Sequence, residues 1–416
     1  MRRFKQHLVE FSAGKGKNTH MTHIEDLVID GGVKGAREAI LALRAFRNML
    51  QGHQNKNLKI STKWDGAPAV FAGIDPTDGE FFVAKKGIFN KNPKVYKSHA
   101  DIDADTSGDL NAKLKVAFDE LKDVGITGVI QGDFMFEKGD LKRETIDGVK
   151  SVTFHPNTIV YAVPEKSAMA KDILNSKVGI VWHTSYAGAT FETMKPTYGA
   201  TITPKLKQTK NVWMVDATMD DLSGTATLTK SETEEVTRAL RNAGKVFNQI
   251  KGSTLADIES NKELNLIINT FNNTKVRARE RITNPKKHVR EMIEWVNLRY
   301  DKEAAKRSSE KGKAGVERKR RDIMTFFSPA NQKNLQKVFE LQNLIVDAKL
   351  IIINKLNELS NINTFLKTKN GFKVTNPEGF VAIDHAEGGA VKLVDRLEFS
   401  TNNFDPNIIK GWENPN

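Results

Sequence analysis

The spacing of apolar residues changes several times along the chain, and each change marks an element. Between Gly35 and Leu50, Ile40, Leu41, Leu43, Phe46 and Leu50 recur at helical spacing with arginines between them, which predicts an amphipathic helix ending at Gly52. From Leu58 to Val83 the pattern becomes strand-like. Ala69 to Ala72 and Phe81 to Ala84 flank the turn sequence Asp75-Pro76-Thr77-Asp78-Gly79 and predict a hairpin. A second helix is expected over 111–124 through Leu114, Val116, Phe118 and Leu121, followed by strands at 128–136, 159–163 and 178–183. Near residue 230 the pattern turns helical: Ser231-Glu232-Thr233-Glu234 suits a helix start, and helical spacing continues to about Leu359. Strand signals return at 372–374, 379–383 and 390–394. The pattern therefore predicts an α+β unit of antiparallel sheets and helices, interrupted by an all-α insertion. Its parts are an N-terminal extension with a helix (1–57), the first part of the α+β unit (58–229), the insertion (230–367), and the last strands with a tail (368–416).

Composition narrows the function classes. Apolar runs such as Leu350 to Ile353 are far below the roughly 20 residues that cross a bilayer, so no membrane segment is expected. The start of the chain lacks the apolar core of a secretory signal. With no cysteine there is no disulfide, thiolate zinc site or cysteine nucleophile, which fits a cytoplasmic setting. A net charge of +13 favours a polyanionic partner, nucleic acid first, with an anionic membrane surface as the other option. Most of that excess lies in 275–321, where seventeen Lys or Arg face seven Asp or Glu. The low apolar content of Lys302 to Arg321 predicts a mobile segment. Ser12 to Lys17 has glycines and lysines without the spacing of a phosphate-binding loop, and His20, His23 and Asp26 are too few to define a metal site.

Chemistry concentrates at strand ends. Lys63, Asp65, Lys85, Lys86, Asp133, Glu378 and Lys392 each sit at the edge of an apolar strand, several of them beside glycine. A strand that ends in Lys63 and breaks at Gly66 presents a cation where a backbone can approach a ligand closely. Several cations with two or three carboxylates converging on one cleft is what a nucleotide-phosphate site with a divalent metal requires.

Lys63-Trp64-Asp65-Gly66 resembles motif I, Lys-x-Asp-Gly, of the covalent nucleotidyltransferases: ATP-dependent DNA ligases, RNA ligases and messenger-RNA capping enzymes. The order of further motifs agrees. Phe82-Val83-Ala84-Lys85-Lys86-Gly87 resembles the next strand of that family, Gln131 to Phe136 its motif III, Thr158 to Val163 its motif IIIa, Pro377-Glu378-Gly379-Phe380-Val381 its motif IV, and Ala390 to Val394 its motif V. The resemblance covers roughly 58–190 and 370–400. It implies an ATP-grasp-like adenylation fold, ATP as nucleotide, and Mg2+ or Mn2+ held by Asp133 and Glu378. Lys63 would be the nucleophile, with Asp65 and Lys392 catalytic beside it. Thr62, Gly66, Lys86, Asp133, Tyr161, Glu378 and Lys392 would bind the nucleotide with Lys63; Tyr161 would stack on adenine and Thr62 would touch the base edge.

The departures are specific. Pro68 stands where an arginine usually follows motif I, Asp133 replaces a glutamate, and Val394 occupies the place of a second motif V lysine. Too few residues follow motif V for an OB-fold, and this favours RNA ligases over DNA ligases and capping enzymes. Lys63 would attack the α-phosphorus of ATP to form lysyl-AMP, AMP would pass to a 5′-phosphate, and a 3′-hydroxyl would then attack the activated end. The basic stretch 275–321 would hold the strand. Two other readings stay open: an inert nucleic-acid-binding protein that keeps the fold, and a nucleotidyltransferase with a different acceptor. Trp64 and His183 are expected to pack in the core. The Lys-Trp-Asp-Gly-Ala-Pro form looks phage-like, which would make the location a host cytoplasm.

Overall fold

The computed structural model describes residues 21–52, 58–219, 227–359, 362–384 and 389–413. Three sheets and a helical body make up the α+β architecture. In chain order the strands are β1 (Leu58–Lys63), β2 (Ala69–Ile74), β3 (Phe81–Ala84), β4 (Val129–Glu137), β5 (Lys142–Ile146), β6 (Val149–Phe154), β7 (Ile159–Pro164), β8 (Val178–Ala187), β9 (Lys195–Tyr198), β10 (Val212–Asp216), β11 (Thr218–Met219), β12 (Asn363–Thr368), β13 (Gly371–Val374), β14 (Gly379–Asp384) and β15 (Gly389–Leu393).

The first sheet has the order β11-β1-β14-β15 and joins the early chain to the late chain. Its alternation decides what lies on each side. Ile60, Phe380, Ala382, Val391 and Leu393 are buried against the helical body. Ser61, Lys63, Val381 and Lys392 share the opposite face, because Ser61 pairs with Val381, Val381 with Lys392, and Lys63 with Gly379. The second sheet runs β10-β8-β4-β2-β3, with β9 on β8. One of its faces packs Val70, Ala72, Ile130 and Trp182 against Leu114, Ala117 and Leu121 of the helix Gly108–Leu121. The other face of the second sheet and the polar face of the first enclose a cleft. A third sheet, β13-β12-β7-β6-β5, flanks them.

The helical body differs from the sequence reading in three ways. The helix Gly32–Met49 packs with Lys230–Phe247, Gly252–Ser260 and the 29-residue Pro329–Asn357 in one core, so the expected N-terminal extension is part of this body. The helices end at Asn357, and β12 pairs with β7, so the boundary expected at 367 moves to about 360. Lys302 to Arg321, expected as a mobile segment, is helical except at 306–309. It lies in the helices Pro285–Ala305 and Glu310–Phe326, which bury Tyr300, Val316, Ile323 and Phe326 at helical spacing, enough to fasten an otherwise cationic face. The helix Lys230–Phe247 starts at Thr229, whose side chain caps the Glu232 amide while Glu232 accepts from the Thr229 amide at 2.7 Å. No described helix is long and apolar enough to cross a membrane.

Candidate active site

Strand β1 stops at Lys63 because the chain turns at Asp65. The Asp65 carboxylate accepts from Asn157 Nδ2 (2.6 Å) and from the amides of Thr158 (2.7 Å) and Ile159 (2.9 Å). The Asp65 amide donates to the Tyr161 hydroxyl at 2.7 Å. Burial pushes the Asp65 carboxyl above the usual range, against the pull of those donors. Its oxygens are committed to the backbone of another loop, so the catalytic role expected for Asp65 becomes a positioning role: it fixes the turn that presents Lys63. Gly66 is required by close approach, since a Cβ there would lie 2.5 Å from the Asp133 Cβ.

Strand register brings the other charges to Lys63. Gly379 pairs with Lys63 across β1 and β14, and Glu378, one residue earlier, forms an ion pair with the Lys63 ammonium. Lys392 reaches the same face from β15, and Lys86 enters from the turn after β3. Asp133 pairs with Ala69 where β4 is irregular, an arrangement that re-aims side chains at sites. Thr62, Lys63, Gly66, Lys86, Asp133, Glu378 and Lys392 all line one cleft of about 390 Å³. Their electrostatics are unusual. Burial raises Glu378 to about 7 against the pull of Lys63, and burial raises Asp133 to about 7 likewise, with Glu378 and Asp65 adding to the rise. Burial lowers Lys392, and Lys63 lowers it further.

Tyr161 does not fit its expected part. Its ring is buried between Trp64 (centroids 5.0 Å apart) and Phe154 (5.3 Å), away from the cleft. It holds the turn through its hydroxyl and leaves no face for a base. Trp64 packs on it, as expected, and also touches the cleft. The aromatic wall comes instead from Tyr186 and Tyr198, with His183, Thr184 and Gln131 beside them. The Tyr186 hydroxyl donates to Gln131 Oε1 at 2.6 Å. Strict alternation from Val178 would put Thr184 and Tyr186 on the core side with Trp182. A register shift in the β4–β8 pairing skips His183 and turns both into the cleft. His183 is held neutral by burial, which lowers it to about 4.

A family model described as a family of unknown function (DUF6267) matches residues 18–408. The chain belongs to this family. The matched span includes every residue of the cleft, from Met21 to Phe399. No curated protein and no solved structure matches the chain.

Among the described residues, no group of three or more His, Cys, Asp or Glu could hold a metal ion by itself. Of the His20, His23 and Asp26 trio, His20 lies outside the described residues, and Asp26 is engaged by Arg396 at 2.7 Å. Asp133 and Glu378 line one cleft and could hold a cation only with ligands from elsewhere. Two carboxylates beside lysines suit a hard cation that brings phosphate oxygens with it, because Mg2+ is commonly bound by one or two carboxylates plus substrate phosphates.

Proposed function

We propose that the chain is an ATP-dependent nucleotidyltransferase of the polynucleotide ligase type, with a ligase-like adenylation fold and an acceptor that is a 5′-phosphorylated strand, RNA rather than DNA. The observation that carries this reading is the Lys63–Glu378 ion pair at the floor of a cleft shared with Asp133, Lys86 and Lys392, assembled from both ends of the chain. An amine must lose its proton before it can attack phosphorus. Glu378, whose Oε1 contacts the ammonium, would accept that proton and leave its other oxygen for a metal. The Lys63 nitrogen then bonds to the α-phosphorus as the bond to the pyrophosphate oxygen breaks, leaving AMP on Lys63. Lys86 and Lys392 offset charge on the phosphates. A divalent metal bound by Asp133 and Glu378 would supply charge neutralisation and orientation of the leaving group. Tyr186, Tyr198 and Val381 offer apolar surface to the base. AMP would pass from Lys63 to the 5′-phosphate, and the basic stretch 275–321 supports a polyanionic acceptor.

The test is incubation with ATP labelled on the α-phosphate and Mg2+ or Mn2+, followed by denaturation. Label is expected on the protein and absent from Lys63→Ala. Equal label on that variant sinks the nucleophile, and no label with either metal sinks the enzyme. Label on Lys63 that no phosphorylated strand removes would point to a different acceptor.

A further inference from the structure

The helices Gly32–Met49 and Lys230–Phe247 pack on each other, with Leu43, Phe46, Leu240 and Ala243 in the common core. Their outer sides bring six cations together, and two contacts fix how these meet. Arg47 Nη1 donates to Thr237 Oγ1 at 3.0 Å, and a Cβ added to Gly244 would lie 3.7 Å from Arg44 Nη2. Thr237 and Gly244 are seven residues apart, so they share one side of their helix, and Arg241 stands between them on that side. Arg238 and Lys245 are its neighbours one turn to either side, and Arg37 is two turns before Arg44. All but the half-buried Arg47 are exposed.

The charge on this face is not offset from within. Among the described residues none of the six lies in an ion pair, and Arg47 meets only the neutral oxygens of Thr237 and Asn48. Burial lowers the Arg47 guanidinium, and Arg44 lowers it further. The helix Gly32–Met49 has one carboxylate, the buried Glu38, and Lys230–Phe247 has none after Glu235. The stretch 275–321 is different: eight of its seventeen Lys and Arg lie within 4.0 Å of a carboxylate. We propose that Arg37, Arg44, Arg47, Arg238, Arg241 and Lys245 form a docking face for the sugar-phosphate backbone of a nucleic acid, separate from the stretch 275–321. Three features select this partner. Five of the six cations are arginines, whose planar fork matches phosphate oxygens in pairs. From Arg37 to Arg47 the face runs about 15 Å at the helical rise, the length of about four phosphates along one strand. Among the described residues no large apolar side chain stands exposed on either helix, so the face lacks the anchors that a membrane surface or a protein partner would use. With no exposed ring to stack on bases, it would hold the backbone and read no sequence.

The experiment measures fluorescence anisotropy of a short single strand of mixed sequence, labelled at the 3′ end, over a range of salt concentrations and without ATP. Arg44→Gln/Arg241→Gln/Lys245→Gln removes three exposed charges from the face. Its slope of log affinity against log salt should be shallower than that of wild type by about 2, at about 0.7 per phosphate contact. Lys150→Gln/Lys166→Gln/Lys171→Gln removes as many exposed, unpaired charges from the α+β unit and should change the slope by less than one contact, about 0.7. Arg44→Lys/Arg241→Lys keeps the charges and should keep the slope. If the triple variant of the face unfolds, Arg241→Gln alone should lower the slope by about 0.7. A wild-type slope in the glutamine variant of the face overturns the proposal. So does an equal change in the control, which would reduce the effect to net charge. A wild type that binds no strand at low salt overturns it too, and binding to phosphatidylserine vesicles instead would give the face to a membrane. The proposal does not depend on the ligase reading: strand binding without label on Lys63 would remove that reading and leave the face standing, whereas label without strand binding would remove the face alone.

Discussion

Glu378 and Asp133 are carboxyls that folding makes harder to ionise, and this leaves a signature in stability. Their ordinary values of 4.5 and 3.8 rise to about 7 in the folded chain. Between those limits the folded state binds more protons than the unfolded state. The stabilisation is therefore complete below about pH 4 and is lost as pH rises through 7, at up to about 1.4 kcal/mol per pH unit for each carboxyl. Urea unfolding of the unliganded protein at pH 5.5 and 7.5 should show wild type losing stability relative to Glu378→Gln as pH rises. Parallel profiles would mean that Glu378 is solvated and ordinary. At this scale the sequence showed which residues converge and much less of what each one does. Lys63, Lys86 and Glu378 were legible because each charge lies beside the end of an apolar run, and Asp133 and Lys392 because each interrupts one, inside β4 and β15. Asp65 and Tyr161 were misread because motif spacing says nothing about where their hydrogen bonds go, and they spend them on the Asn157 to Ile159 loop and on the Asp65 amide.

Elements were legible wherever one period ran uninterrupted, as in Gly32–Met49, β2, β3, β14 and β15. Tyr186 was missed because the irregularity in the β4–β8 pairing breaks the period of two, and a one-residue slip sends every later side chain to the other face. The helix Arg396–Phe404 carries so few buried side chains that its pattern hardly registers; Ser400 is its one buried residue. Gly379 shows how an element's start controls the site. It has φ +143°, and a Cβ there would lie 2.6 Å from the Leu393 carbonyl oxygen. Gly379→Ala therefore combines backbone strain of about 1 to 3 kcal/mol with a clash against β15, and the relief is to move the residue next to Glu378. Label on Lys63 should fall at least tenfold, read as a rate of self-adenylylation. Gly371→Ala is the control: it shares a positive φ (+114°) but has nothing within 4 Å of the added carbon. If both variants label alike, the start of β14 does not set the position of Glu378.

On the scale of the whole molecule, the helical body is fastened to the sheet that carries Lys63 and Lys392. Lys349, 1% exposed in the middle of Pro329–Asn357, donates to Glu25 Oε1 and to the Val394 carbonyl, each at 2.8 Å. The body also carries the chain's positive charge, and its surface can be tested without opening its core. Removing 300–321 would take away buried Tyr300 and Val316, so deletion cannot separate binding from folding. Arg320 is a poor target as well, since it is half-buried and donates to Asn297 and Asp301. Arg318, Lys319 and Arg321 are exposed on the same helix and suit the purpose. If a single strand lies along this face, each phosphate contact contributes about 0.7 to the slope of log affinity against log salt. Changing all three residues to Gln should make that slope shallower by up to about 2, weakening binding most at low salt and leaving the melting temperature near that of wild type. An unchanged slope would place the strand elsewhere on the molecule, and the charge of 275–321 would then serve another polyanion or solubility alone.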